Sequence, residues 1–191
     1  MTTIRQPFGE DADTKTPLTS VNVGTANTGV TATEEGNAAF HKTELTFTDL
    51  AIGSAVGAAN LAFGKLLYTL PAGAQFVKAV YINVALTGTV TIVGDTPEVG
   101  VGSVLGAGAQ ATLGAAGATM EDYWEGAASG AISGSNSVAG TKVATAGALT
   151  GIAINAATSA KTFYLNVADG WAGAGDVTAT GTVTILWEMA S

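Results

Sequence analysis

The sequence predicts an all-β fold, an antiparallel β-sandwich or jelly roll with an extended N-terminal arm. Three observations predict it. Apolar and small polar residues alternate with period two in several segments, most clearly in DVTATGTVTILWEM near the end of the chain. No long segment of helical period is interleaved with these runs, which argues against a parallel α/β sheet. The composition is rich in small and β-branched residues, with 26 glycines and 28 threonines, and threonine suits a pleated surface better than a helix.

Residues 1–38 show no sustained period of either kind and carry Pro7, Pro17 and four glycines. They are expected to form an extended arm, anchored on a neighbour by Arg5, Phe8, Leu18 and Val21. Residues 39–191 are expected to form a single sandwich domain. From Thr43 the period becomes two: in TELTFTD, Leu45 and Phe47 point one way, Thr46 and Thr48 the other. FGKLLYTL follows and stops at Pro71 and Gly73. In QFVKAVYINVAL, Phe76, Val80, Ile82, Val84 and Leu86 are expected on one face, with Tyr81, Asn83 and Thr87 on the other. Thr87-Gly88 then offers a hairpin turn into TVTIV.

Residues from about 100 to 150 are rich in alanine and glycine and read as long loops with short strands. One short helix is expected near Thr119 to Ala127, with Thr119 as its cap. Strands return in TGIAIN, KTFYLNV and the terminal run. In that run Thr178, Thr180, Thr182 and Thr184 share one face, and Val177, Ala179, Val183, Ile185 and Trp187 share the other. Gly181 is the expected place for a bulge or bend. The count is seven to nine strands.

Charge and composition exclude several function classes. Charged residues are 12% of the chain, against about a quarter of an ordinary soluble protein, and the net charge is −8. Arg5 is the single arginine, and no Lys or Arg occurs between Lys78 and Lys142. Nucleic-acid binding needs a basic footprint, so no nucleic-acid partner is expected. The absence of cysteine removes disulfides and thiolate-bound metals. The first residues lack the apolar core of a signal peptide, and the uncharged run Val99–Met120 contains six glycines and several polar residues, which makes a poor membrane span. No membrane partner is expected, and a cytoplasmic place of synthesis and assembly is.

Candidate chemistry is sparse. The one histidine, His41, could pair with Asp49 and a distant serine, but no GxSxG elbow accompanies it, and a lone histidine beside a strand is more often a surface or partner-contact residue. GAGAQA at Gly106 matches a loose dinucleotide loop without the helix that such a loop must open. Glu121, Asp122 and Glu125 form an acidic cluster without the spacing of a calcium loop. Glu44 and Glu188 are among the few acids on the expected strands and form no convincing hydrolytic pair. Tyr123, Trp124 and Trp171 form a candidate contact patch or stacking platform. No catalytic residue, cofactor or metal site is assigned, and no enzyme activity is expected.

The outward sides of the expected strands carry threonine, asparagine and alanine rather than lysine and glutamate. Neutral hydroxyls lose less hydration than ions, so such faces are cheap to bury against other subunits. Taken together, the polar N-terminal segment, LYTLPAGAQFVKAVYINVALTGTVTI with its Pro-Ala-Gly turn, and the ending DGWAGAGDVTATGTVTILWEM resemble the head-decoration, or cement, proteins of tailed bacteriophages. The resemblance implies a sandwich on the outer surface of a capsid, a homotrimer that reinforces contacts between major capsid subunits, and assembly in the host cytoplasm. It also implies that the arm, around Arg5 to Val23, clamps a neighbouring subunit. The long Ala/Gly-rich middle departs from that pattern. The alternative reading is a carbohydrate-binding or adhesin-like module that stacks sugars on Trp124 or Trp171.

Overall fold

The structure is a computed structural model that describes residues 2–5, 23–37, 40–55, 61–88, 98–110, 112–116, 119–128, 142–143, 152–156, 161–168 and 175–189. Two sheets pack face to face as a β-sandwich. The larger sheet contains β1 (Thr2–Arg5), β3 (Thr31–Gly36), β4 (Phe40–Ala55), β12 (Gly175–Met189), β6 (Gly73–Gly88) and β10 (Ile152–Ala156), in that order, with β9 (Lys142–Val143) also paired to β6. The smaller sheet runs β2 (Thr25–Ala26), β5 (Phe63–Thr69), β11 (Thr162–Ala168), β7 (Glu98–Gly102), β8 (Trp124–Ala128). Every pairing is antiparallel except β1 with β3.

The long strands β4, β6 and β12 are the spine, and their alternation builds one core. Leu45, Phe47, Val80, Ile82, Val84, Val183, Ile185 and Trp187 point inward to meet Leu67, Tyr68, Phe163, Leu165 and Val101 of the smaller sheet. Each such aliphatic or aromatic side chain, fully buried, contributes about 1.5–3 kcal/mol of transfer free energy. The expected inward and outward sets of TELTFTD and of the terminal strand are the observed ones. The turn at Pro71 lies between β5 and β6, as the sequence predicts.

Four expectations need correction. The segment read as an arm contains two strands of the sandwich, β2 and β3, and β1 adds to β3 in parallel register, with Arg5 opposite Glu35. Phe76 is exposed at 37% and its neighbour Val77 is buried, because the register slips at Lys78: Leu186 pairs with Ala79 but Trp187 pairs with Val77. One extra residue in a strand reverses which parity faces the core. No helix forms near Thr119; Thr119–Tyr123 are turn and bend residues, Trp124–Ala128 is strand β8, and the nearest helical turn is a 3-10 turn at Leu113–Ala116. The expected bulge at Gly181 lies instead across the sheet in β4, where Thr48 and Asp49 stand opposite Thr180 alone. Asp49 takes a positive φ of 48° there, and its N–H is held by Thr180 Oγ1 at 2.9 Å. Gly181 itself has a φ of 152° and lies against the carbonyl of Asn83, where a side chain has no room. The hairpin expected after Thr87 lies outside the described residues.

The described first part of the Ala/Gly-rich middle has a structural role. After β7 the chain turns back across the outer face of the smaller sheet, with Leu113 and Met120 packing on Ala62 and Ala168 as a satellite core. The loop can come so close because β7 offers glycine there: a side chain at Gly102 would strike the backbone of Met120.

Candidate functional site

The loop over the smaller sheet is fastened by polar side chains. Asn166, on the outward side of β11 and fully buried, accepts from Gly106 N at 2.8 Å and donates to the carbonyls of Val104 (2.9 Å) and Met120 (2.7 Å). Asp122 accepts from both the N–H and the hydroxyl of Ser103, each at 2.7 Å. Glu98 accepts from Leu113 N at 2.6 Å. The acidic cluster is therefore divided: Asp122 is spent on this loop, Glu121 is buried, and no group of metal-binding side chains occurs among the described residues. Gly106, which opens the dinucleotide-like motif, binds Asn166 rather than opening a helix.

The contact-patch expectation for Tyr123 and Trp124 is overturned. Both belong to the core, exposed by only 1% and 5%, and Tyr123 stacks on Phe163 with ring centroids 4.2 Å apart. Trp124 opens β8 opposite Val101, and the strand's alternation turns it inward. Burial, with Asp122 adding to it, pushes the Tyr123 phenol above the ordinary tyrosine range. The sign is fixed by linkage: the unfolded chain gives up this proton first, so Tyr123 favours the folded state below about pH 10 and that contribution is lost as pH rises further. The urea midpoint is expected to hold to about pH 9 and then fall, and Tyr123→Phe should remove part of the fall. Trp171, Phe8, Leu18 and Val21 lie outside the described residues. Arg5 is placed by its strand alone.

His41 is not a surface residue. Its side chain is fully buried, and its ring stacks on Trp187 at 3.8 Å between centroids and 15° between planes. Its Nδ1 lies 3.6 Å from Oε2 of Glu34, which is equally buried. Glu34 also accepts a hydrogen bond from the Tyr68 hydroxyl, and that hydroxyl accepts from Gly24 N at 2.8 Å. Trp187 Nε1 donates to Thr43 Oγ1 at 2.8 Å. A carboxylate, an imidazole and a phenol thus meet between the sheets.

The outer face of the larger sheet is different in kind. Cross-strand rows run Thr31, Thr46, Thr182, Asn83 and then Thr33, Glu44, Thr184, Tyr81. Thr48, Thr87 and Thr180 are also exposed on the long strands. Among the described residues nothing layers over this face. At one end lies a groove of about 510 Å³ beside Phe40 and Leu186, ringed by Glu35, Lys42, Lys78 and Glu188. Its charges pair locally, Lys42 with Glu35 at 3.3 Å and Lys78 with Glu188 at 2.9 Å. Exposed pairs of this kind contribute little to stability, but they leave the end of the face nearly neutral. No protein-family model matches the chain, and no curated protein or solved structure matches it either.

Proposed function

We propose that this chain is a non-enzymatic structural protein that works by association, decorating and reinforcing the outer surface of a tailed-phage capsid. The observation that carries the reading is an asymmetry between the two sheets. Among the described residues, the smaller sheet has its outer face covered by parts of the chain between Ser103 and Tyr123, and the larger sheet presents a broad face rich in threonine. Neutral hydroxyls on a sheet face are cheap to desolvate and give many weak contacts. This face would meet the major capsid subunits or the other copies of a homotrimer. The carbohydrate-binding alternative loses Trp124 as a platform, since that ring is in the core.

The test is a charge placed at the centre of the face. Thr46→Lys and Thr182→Lys lie side by side in register, away from the core. Each is expected to change folding stability by no more than about 0.5 kcal/mol, the range of ordinary surface substitutions. The double variant should lose tenfold or more in binding to capsids carrying the native protein's site, or in self-association by sedimentation, since about 1.4 kcal/mol of uncompensated desolvation suffices. Unchanged association in both assays would remove the face from the mechanism.

A further inference from the structure

The buried Glu34–His41 pair is the strongest anomaly in the molecule. Both side chains are fully buried, yet neither ring nitrogen of His41 nor Oε2 of Glu34 has a hydrogen-bond partner among the described residues. Buried polar atoms are normally paired, and buried charges always cost free energy unless matched. The 3.6 Å between Nδ1 and Oε2 is the one approach that can match them. We infer that His41 and Glu34 form a proton-dependent clasp that locks the β1–β3 edge of the larger sheet onto the sandwich.

The parts are placed for that role. Glu34 is on β3, His41 on β4, and the Tyr68 hydroxyl that binds Glu34 comes from β5 in the other sheet. The same hydroxyl holds Gly24 N, just before β2. Since β1 pairs with β3, what fixes β3 also fixes β1. Among the described residues, the titratable groups turned into this part of the core are Glu34, His41 and Tyr68. Trp187 of β12, Thr43 of β4 and Gln75 of β6 are neutral, and Glu35, Lys42, Lys78 and Glu188 line the groove that His41 and Trp187 also border. When His41 takes a proton from solvent, an imidazolium faces a carboxylate in a low-dielectric site and the clasp closes. As pH rises and the imidazole becomes neutral, the carboxylate is left with the Tyr68 hydroxyl and the clasp loosens.

The chain has one histidine, so its ring nitrogen NMR signals need no assignment. In the wild-type protein the ring is expected to be doubly protonated at the acidic end of a pH titration and singly protonated at the basic end. Over the same interval the hydrogen-exchange protection of the Thr31–Gly36 amides should fall about tenfold, while that of the central β6 and β12 amides stays constant. His41→Phe keeps a ring against Trp187, and Glu34→Gln keeps an acceptor for Tyr68. Either should abolish the pH dependence of β3 protection. A single neutral tautomer of His41 throughout about pH 5–8, or the same pH profile in wild type and both variants, would overturn the clasp. The wild-type spectra decide the matter even where a variant fails to fold.

Discussion

Replacing Asn166 by alanine is expected to lower the free energy of unfolding by about 3–5 kcal/mol, read from the urea midpoint at constant slope. The substitution removes few atoms but orphans two buried backbone groups, Gly106 N–H and the carbonyl of Met120, together with the part-buried carbonyl of Val104. Each unsatisfied group costs about 1–3 kcal/mol, and the three do not add fully because the loop can shift to reach water. Against a typical total of about 5–15 kcal/mol, that is a large fraction. Asn166→Asp should be at least as damaging, because a carboxylate would face two carbonyl oxygens where an amide now donates. A loss below about 1 kcal/mol for either variant would mean that the 103–123 loop is not seated on the smaller sheet, and the asymmetry behind the proposed interface would go with it.

How much of this was readable in the chain depends on how far each strand obeys its own period. The terminal strand was legible because threonine and apolar residues alternate from Val177 to Ile185 with Gly181 as the one gap, and its inward set is the observed one. Phe76 was misplaced because a bulge is a property of two strands, and the slip between Leu186 and Trp187 leaves no mark in the β6 sequence. Strand β3 was hidden for a more instructive reason. Its inward positions are Ala32 and Glu34, and a buried glutamate is the residue that most spoils a hydrophobic alternation. His41 and Thr43 likewise occupy inward positions of β4, so the strand seemed to begin later than it does. Local pattern fails where polar groups are buried, and those are the places where a fold departs from what stability alone would choose. The glycines of the middle segment suggested loops. That one loop would cover a sheet depended on a contact between Gly102 and Met120 that no period records.

The same buried cluster makes Trp187 the side chain whose loss should cost most. It is 1% exposed, near the end of β12, between β4 and β6, and it closes the core where the clasp sits. Trp187→Ala removes an indole from a packed interior, strips His41 of its stacking partner at 3.8 Å, and leaves Thr43 Oγ1 without its donor. Large aromatic-to-alanine changes in cores cost about 3–5 kcal/mol, and the orphaned hydroxyl and imidazole place this one at the upper end. Trp187→Phe separates the contributions. It keeps a ring against His41 and most of the volume, so its loss should be about 1–2 kcal/mol, chiefly the Thr43 hydrogen bond. Denaturant melts of the pair decide between packing and polar origins. If phenylalanine were as harmful as alanine, the indole N–H would be the essential part. If alanine cost under about 2 kcal/mol, this end of the sandwich would be loosely packed and His41 would be open to water, which contradicts its complete burial.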